Sequence, residues 1–338
     1  MTPGKAGSGV DYKEVKLSRS ENFWVEVGGI TLLYLILTLV ATYPVVTQFN
    51  SHFIGGGDTL VNTWNLWWVQ SSIANQVSPF HTELLYHPDG MTLAYHTLNL
   101  FNGCLAFLLR SAFGIGLPAT FNTISMLTFI ATGVSMFILV RSMTKSSSAG
   151  LISSLIFTFA PYRMGRVFFG NLDLYSTQFI PWMVLFLIKM TQTYQWRYVI
   201  GAAIALSLTG WCSLELGFGT GILLLLLFLL EFVSWNVKQW IPRLKYWFVL
   251  ILLTGIFMSP FLVSMFNNYR SFQDQTDQFG ASVSNSADLI GFFVPDRSTN
   301  PLVKRLGTGA VSQGINAIYA RFYGNPCEKT VFLGYSVL

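Results

Sequence analysis

Charge is scarce in this sequence. Lys, Arg, Asp and Glu make up 10% of its 338 residues, against about 25% in a soluble globular domain. A soluble fold must present polar surface to water, and this chain has too little of it. The same shortage excludes disorder and a charged coiled coil. Cysteine is scarce too. Cys104, Cys212 and Cys327 form no CxxC or CxxH pair, so neither a disulfide framework nor a structural zinc site is signalled. There is no Walker loop, dinucleotide fingerprint, HExxH or GxSxG, and ATP-driven transport and zinc proteolysis lose their usual signatures. No run of intramembrane charges resembles a proton relay, and no fixed-period repeat is visible.

Apolar and aromatic side chains are abundant. Hydrophobic residues reach 52% and aromatics 16%, with mean hydropathy +0.50. This composition predicts an all-α polytopic membrane protein. In that class the net charge of +5 is not a nucleic-acid signature, and no nucleic-acid partner is expected. The position of each Lys and Arg carries the information.

Charged residues bound the apolar runs. Gly29 to Val46 and Leu117 to Val140 read as clear spans, followed by 149–162, 174–190, 198–214, 217–235 and 246–265. Two of these, 149–162 and 174–190, fall at or below the roughly 17–20 residues a crossing needs. Segment 91–113 is apolar but contains His96, Asn99, Asn102 and Arg110. If it stays at the outer interface, the basic clusters at 1–26, 141–148, 189–197 and 236–245 all fall on the cytoplasmic side, as the positive-inside rule requires. If it crosses, every later basic loop moves outside. We therefore expect seven spans and a cytoplasmic N-terminal segment at 1–26. The bundle covers 27–265 and carries an outside loop at 50–116. An extracytoplasmic loop or cap follows at 266–330, and 331–338 reads as the start of a further apolar helix.

Chemistry-bearing residues concentrate in the predicted outside segments. Gly55-Gly56-Gly57-Asp58-Thr59 allows a sharp turn and a close backbone approach, and puts Asp58 at the mouth of a helical segment. Its carboxylate suits a general base or metal ligand; as an N-cap it would instead satisfy free N–H groups. Trp64, Trp67 and Trp68 follow, either as an interfacial aromatic belt or as a sugar platform. The loop Pro79-Phe80-His81-Thr82-Glu83-Leu84-Leu85-Tyr86-His87-Pro88-Asp89-Gly90 ends in a turn signal. It offers His81, His87 and Asp89 without any fixed metal-ligand spacing.

Further along, Ala160-Pro161-Tyr162-Arg163-Met164-Gly165-Arg166 precedes Gly170-Asn171-Leu172-Asp173. Two arginines outside run against the positive-inside trend, and binding a phosphate is a reason for them. An ion pair with Asp173, or snorkelling to headgroups, is another. Asp173 is a second candidate carboxylate. Glu215, at the turn between the predicted fifth and sixth spans, is a third acid near the bilayer edge, where function and solvation compete as explanations.

With these residues in hand, the chain resembles the GT-C superfamily of polyprenyl-phosphate-sugar-dependent glycosyltransferases. Its motifs look like those of uncharacterised bacterial membrane proteins of that superfamily. Gly57-Asp58-Thr59, Trp64-Asn65-Leu66-Trp67-Trp68, Tyr86-His87-Pro88-Asp89-Gly90 and Phe159-Ala160-Pro161-Tyr162-Arg163 carry the resemblance, over roughly residues 27–265. It implies a GT-C-like helical bundle in a bacterial plasma membrane, with interfacial helices in the first outside loop. It also implies an inverting transfer at the outer face, from a lipid-linked sugar donor to an acceptor hydroxyl. Asp58 would act as base or hold a divalent cation, Mg2+ or Mn2+. Arg163 or Arg166 would face the lipid phosphate, Asp89, Asp173 or Glu215 would assist, and Trp64 and His87 would line the substrate site. Asn171 stands where such relatives carry a histidine. The competing expectation is a non-catalytic GT-C-like subunit of a larger membrane complex. A transporter fits less well, because the acids cluster at one face instead of the bilayer midplane.

Overall fold

The structure is a computed structural model that describes residues 23–233, 240–269 and 310–319. The expected further apolar helix at 331–338, and most of the expected N-terminal segment and cap, lie outside the described residues. Helix dominates. In chain order the helices are α1 (Phe23–Ala41), α2 (Thr59–Ala74), α3 (Leu100–Phe113), α4 (Leu117–Thr144), α5 (Ser147–Thr158) and α6 (Pro161–Phe169). Then come α7 (Leu172–Tyr175), α8 (Ile180–Thr193), α9 (Trp196–Cys212), α10 (Leu214–Val233), α11 (Trp240–Asn267) and α12 (Ala310–Tyr319). A two-stranded antiparallel hairpin, β1 (His81–Thr82) and β2 (Met91–Thr92), pairs His81 with Thr92.

Among the described residues four helical segments are long and apolar enough to cross a membrane: Phe23–Ala41, Leu117–Thr144, Leu214–Val233 and Arg243–Asn267. The other three expected spans form helices α5, α8 and α9, of 12, 14 and 17 residues. At 1.5 Å per residue they reach about 18, 21 and 26 Å, short of a 30 Å hydrocarbon core. The apolar run at 174–190 does not make one helix. Its first residues complete α7, and α8 begins only at Ile180, with Pro181 in its first turn. Proline suits that place because the N–H it lacks has no helical partner there. Segment 91–113 divides into β2, a loop and α3, which lies along α2.

Helices α4 and α5 form one packed hairpin, α8 and α9 another. Helices α10 and α11 both lie against α9, and α1 packs on α4. Where α1 crosses α4 the contact is close: Tyr34 is fully buried over Gly133, and its hydroxyl donates to Ser154 Oγ at 2.8 Å. A side chain on Gly133 would collide with the Tyr34 ring. Elsewhere the long helices turn Leu, Ile and Phe outward, as at Leu230, Val233 and Phe248, which suits hydrocarbon as a solvent.

Most of the described surface charges gather by sign at two ends of this bundle, while Arg163 and Arg166 on α6 lie at the acid end. At one end, Arg141 at the close of α4 pairs with Glu26 at the start of α1. Lys189 near the end of α8 lies within electrostatic reach of Lys145 and Arg197. Arg243 and Lys245, at the start of α11, sit over the rings of Tyr194 and of Trp196 and Tyr246. The opposite end carries Asp58, Asp173 and Glu215, at or beside the starts of α2, α7 and α10.

Candidate functional site

The acid end is built on a meeting of two backbones. The turn Gly55-Gly56-Gly57 runs against the corner between α6 and α7. A Cβ on Gly55, whose φ is +94°, would stand 2.6 Å from the Val167 carbonyl oxygen; one on Gly170, φ +78°, would stand 1.9 Å from Thr59 Oγ1. Only glycine tolerates both the positive φ and the contact. The close approach foreseen for these glycines is thus made to the chain itself. It is fastened by the Asp58 N–H, which donates to the Phe169 carbonyl at 2.8 Å.

Asp58 occupies the N-cap position of α2, yet its side chain makes no capping hydrogen bond. Instead its Oδ2 accepts from Asn171 Nδ2 at 2.7 Å, and the residue is exposed. The carboxylate is therefore oriented by a neutral amide and remains open on its other side. Asn62, one turn into α2, ties Asp58 to α7. Its Nδ2 lies 3.4 Å from the Asp58 carbonyl and 3.2 Å from that of Gly170.

Asp173 is only 3% exposed. Burial pushes its carboxyl up to about 7, and the nearby Glu215 charge adds to the rise. Its own N–H, that of Leu174 and the Asn62 side chain pull the other way. Such a group is walled off from solvent, so Asp173 does not stand beside Asp58 as a second open carboxylate. Glu215, in the first turn of α10, is exposed.

The two arginines expected to face a phosphate are turned inward. Arg163 is 2% exposed. Its Nε donates to the Tyr175 carbonyl at 3.0 Å and its Nη1 to the Thr158 carbonyl at 2.8 Å, while Nη2 lies 3.4 Å from Thr132 Oγ1. The guanidinium also lies 4.2 Å from the centre of the Phe129 ring. With those donors directed at protein acceptors, Arg163 braces α4, α5 and α7 and presents no open fork. Arg166 is 7% exposed and rests over the Tyr162 ring, so it is not an open surface cation either. The sequence places basic residues in a loop; it does not say which face of the short α6 they occupy.

The remaining candidates stand apart. Trp64 stacks on Trp68 at 5.9 Å, nearly parallel, and packs with it against a core of Val69, Leu93, Leu98 and Phe261. One face of its ring is therefore covered by protein. His87 and Asp89 are exposed in the β1–β2 turn, and neither bonds to Asp58 or Asp173 among the described residues. Asp58 and Asp173 stand at the same end of the bundle, with Glu215 within electrostatic reach of Asp173; His87, Asp89 and Trp64 are not joined to them by any described hydrogen bond. Among the described residues no three His, Cys, Asp or Glu side chains gather to hold a metal ion. Of Asp58 and Asp173, only Asp58 is left exposed as a carboxylate to hold the Mg2+ or Mn2+ that the resemblance implies there.

A ladder of neutral amides behind Asp58 was not singled out as a site from the sequence. Asn62 Oδ1 accepts from Asn99, Asn99 Oδ1 accepts from Asn102, and Asn102 also donates to Ser176 Oγ at 2.9 Å. All three asparagines are buried. The signal was present, since Asn99 and Asn102 are three residues apart in a mainly apolar stretch, Asn99 standing just before α3 and Asn102 in its first turn. Compared with known proteins by sequence, the chain matches no family model and no curated protein.

Proposed function

We propose that this chain is a membrane glycosyltransferase of the GT-C kind, working at the acid end of the bundle, with that end on the extracytoplasmic side. The observation that carries the reading is Asp58: an exposed carboxylate held at a fixed angle by Asn171, at the end of a bundle whose opposite end collects Arg141, Lys145, Lys189, Arg197, Arg243 and Lys245. The positive-inside rule puts the basic end in the cytoplasm, where it would meet anionic headgroups, and turns Asp58 outward.

In this reading the acceptor hydroxyl gives its proton to the Asp58 carboxylate. Its oxygen forms a bond to the anomeric carbon. The bond from that carbon to the phosphate oxygen breaks, and polyprenyl phosphate leaves with the electron pair. No step is routed through a metal. Arg163 is given no contact with the donor, and the leaving phosphate is received at the same face by groups other than that buried guanidinium.

The test is transfer from a panel of radiolabelled polyprenyl-phosphate hexoses and pentoses by the full chain in proteoliposomes. Asp58→Asn keeps the hydrogen bond to Asn171 but removes the base. It is expected to lower transfer by about 10²–10⁴-fold with the fold unchanged by circular dichroism. Transfer at the unaltered rate in that variant removes the mechanism.

The non-catalytic subunit is favoured by a separate observation, the commitment of Arg163 to backbone carbonyls. It predicts no transfer from any donor, together with stoichiometric co-purification of a membrane partner.

A further inference from the structure

We propose that the groove between α10 and α11 holds one anionic phospholipid, with an acyl chain along the groove and the phosphate at Arg243 and Lys245. The site belongs to the basic end of the bundle and does not need the transferase reading.

The groove follows from how the two helices pack. Both lie against α9, and the space left between them is a cavity of about 530 Å3. Gly221, Leu224 and Phe228 line it from α10, and Leu244, Trp247 and Ile251 from α11. Phe228 and Trp247 close its floor, their rings meeting edge to face at 5.1 Å. The Trp247 ring is buried, and its N–H donates to Glu231 Oε2 at 3.1 Å, so the polar edge of that ring is already used. Leu225 and Ile251, also on the wall, are exposed, and the groove therefore opens toward hydrocarbon.

Gly221 keeps the far end open. A Cβ there would meet nothing within 4 Å, whereas the residues that follow, Ile222 to Leu227, are all large and aliphatic. A slot with apolar walls between two spans loses dispersion contacts unless a chain of matching chemistry fills it, and an acyl chain is that filler.

The charge at the near end selects the headgroup. From Ile251 to Leu244 the groove runs along seven residues of α11, about 10 Å, and Leu244 stands between Arg243 and Lys245. Arg243 lies 5.1 Å from the centre of the Tyr194 ring, and Lys245 lies 5.0 Å from that of Tyr246. A ring face holds a cation in place without neutralising its charge. Glu231, the acid at this end of α10, has its two oxygens on the Tyr194 hydroxyl and the Trp247 indole. The sequence joining α10 to α11 adds Lys238. Basic residues beside an opening between spans attract anionic headgroups. A zwitterionic lipid would fill the same groove but gain less from these cations.

The experiment is native mass spectrometry of the full chain released from detergent, titrated separately with phosphatidylglycerol and with phosphatidylcholine of the same acyl chains. One phosphatidylglycerol should bind about tenfold or more tightly than phosphatidylcholine. Arg243→Gln combined with Lys245→Gln should remove that preference, each lost cation changing the affinity about fivefold. Gly221→Leu fills the groove and should weaken both lipids about tenfold or more. Gly219→Leu, on the same helix and also with nothing within 4 Å of its Cβ, lies off the groove and should bind as the parent does. If Gly221→Leu does not fold, the Arg243 and Lys245 pair decides. The proposal is overturned if the parent binds the two lipids alike, or if the double variant keeps the parent's preference. It is also overturned if Gly221→Leu keeps the parent's affinity, or if the parent is a dimer that Gly221→Leu dissolves.

Discussion

The two ends of the bundle handle charge in opposite ways. At the basic end most charges meet an opposite charge or an aromatic ring, although the buried Lys189, over the Tyr198 ring, lies within reach of the like charges of Lys145 and Arg197. Arg141 meets Glu26, Arg243 and Lys245 lie over Tyr194, Trp196 and Tyr246, and Glu231 takes hydrogen bonds from Tyr194 and the Trp247 indole. At the acid end Asp58 is held by a neutral amide, and Asp173 is buried without an ion pair among the described residues. Buried amide oxygens of Asn102, Asn171 and Gln178 lack partners there. Compensated charge anchors a helix bundle to headgroups. Uncompensated buried polarity costs stability, and proteins keep it where something binds. The contrast assigns anchoring to one end and ligand chemistry to the other.

The sharpest break in the comparison would come from the glycine corner that builds the acid end. Gly170→Ala would force a methyl against Thr59 Oγ1 and the Gly56 carbonyl at a positive φ, and is expected to cost more than about 3 kcal/mol. Gly114→Ala also sits at a positive φ, +63°, but with nothing within 4 Å, so only backbone strain of about 1 kcal/mol applies. Thermal melts of the two variants measure the difference directly. Equal losses would mean that the two backbones are not in close contact.

A smaller effect is expected from pH. Asp173 has its carboxyl raised from 3.8 to about 7 in the folded chain. The folded state therefore holds the proton more tightly than the unfolded one. The resulting stability is fully present below about pH 4 and is lost as pH rises toward about 7. The melting midpoint should fall by several degrees across that window, and Asp173→Asn should flatten the profile there.

At the basic end the expected change is the least. Arg141→Gln removes a partly exposed ion pair and should cost no more than about 1 kcal/mol by the same melts. A loss as large as that of Gly170→Ala would erase the distinction between the ends.

Much of the architecture was legible. The scarcity of charge pointed to a membrane chain, and 117–140 became the helix Leu117–Thr144. Polar residues set 91–113 apart, and it makes a strand, a loop and a helix of 14 residues. The break of 161–190 into α6, α7 and α8 was not foreseen. Apolar side chains face both lipid and core in such a protein, so hydropathy alone does not separate a short interior helix from part of a span. The glycine turn and Asp58 were legible because glycine at a sharp turn and an acid beside it are local signals. The inward turn of Arg163 and Arg166 was not, because it depends on Thr158 and Tyr175 supplying carbonyls and on the ring of Tyr162. The amide ladder spans residues 62 to 176, and it exists only in the folded chain.

The account rests on the acid end facing away from the cytoplasm. The direct measurement is labelling of single cysteines, in a chain whose Cys104, Cys212 and Cys327 are replaced by serine, with a membrane-impermeant maleimide applied to intact cells. Ser51→Cys, exposed beside the glycine turn, should react from outside. Met143→Cys, half exposed at the basic end, should react only after permeabilisation. Labelling of position 143 from outside, with position 51 protected until the cells are opened, would contradict the account.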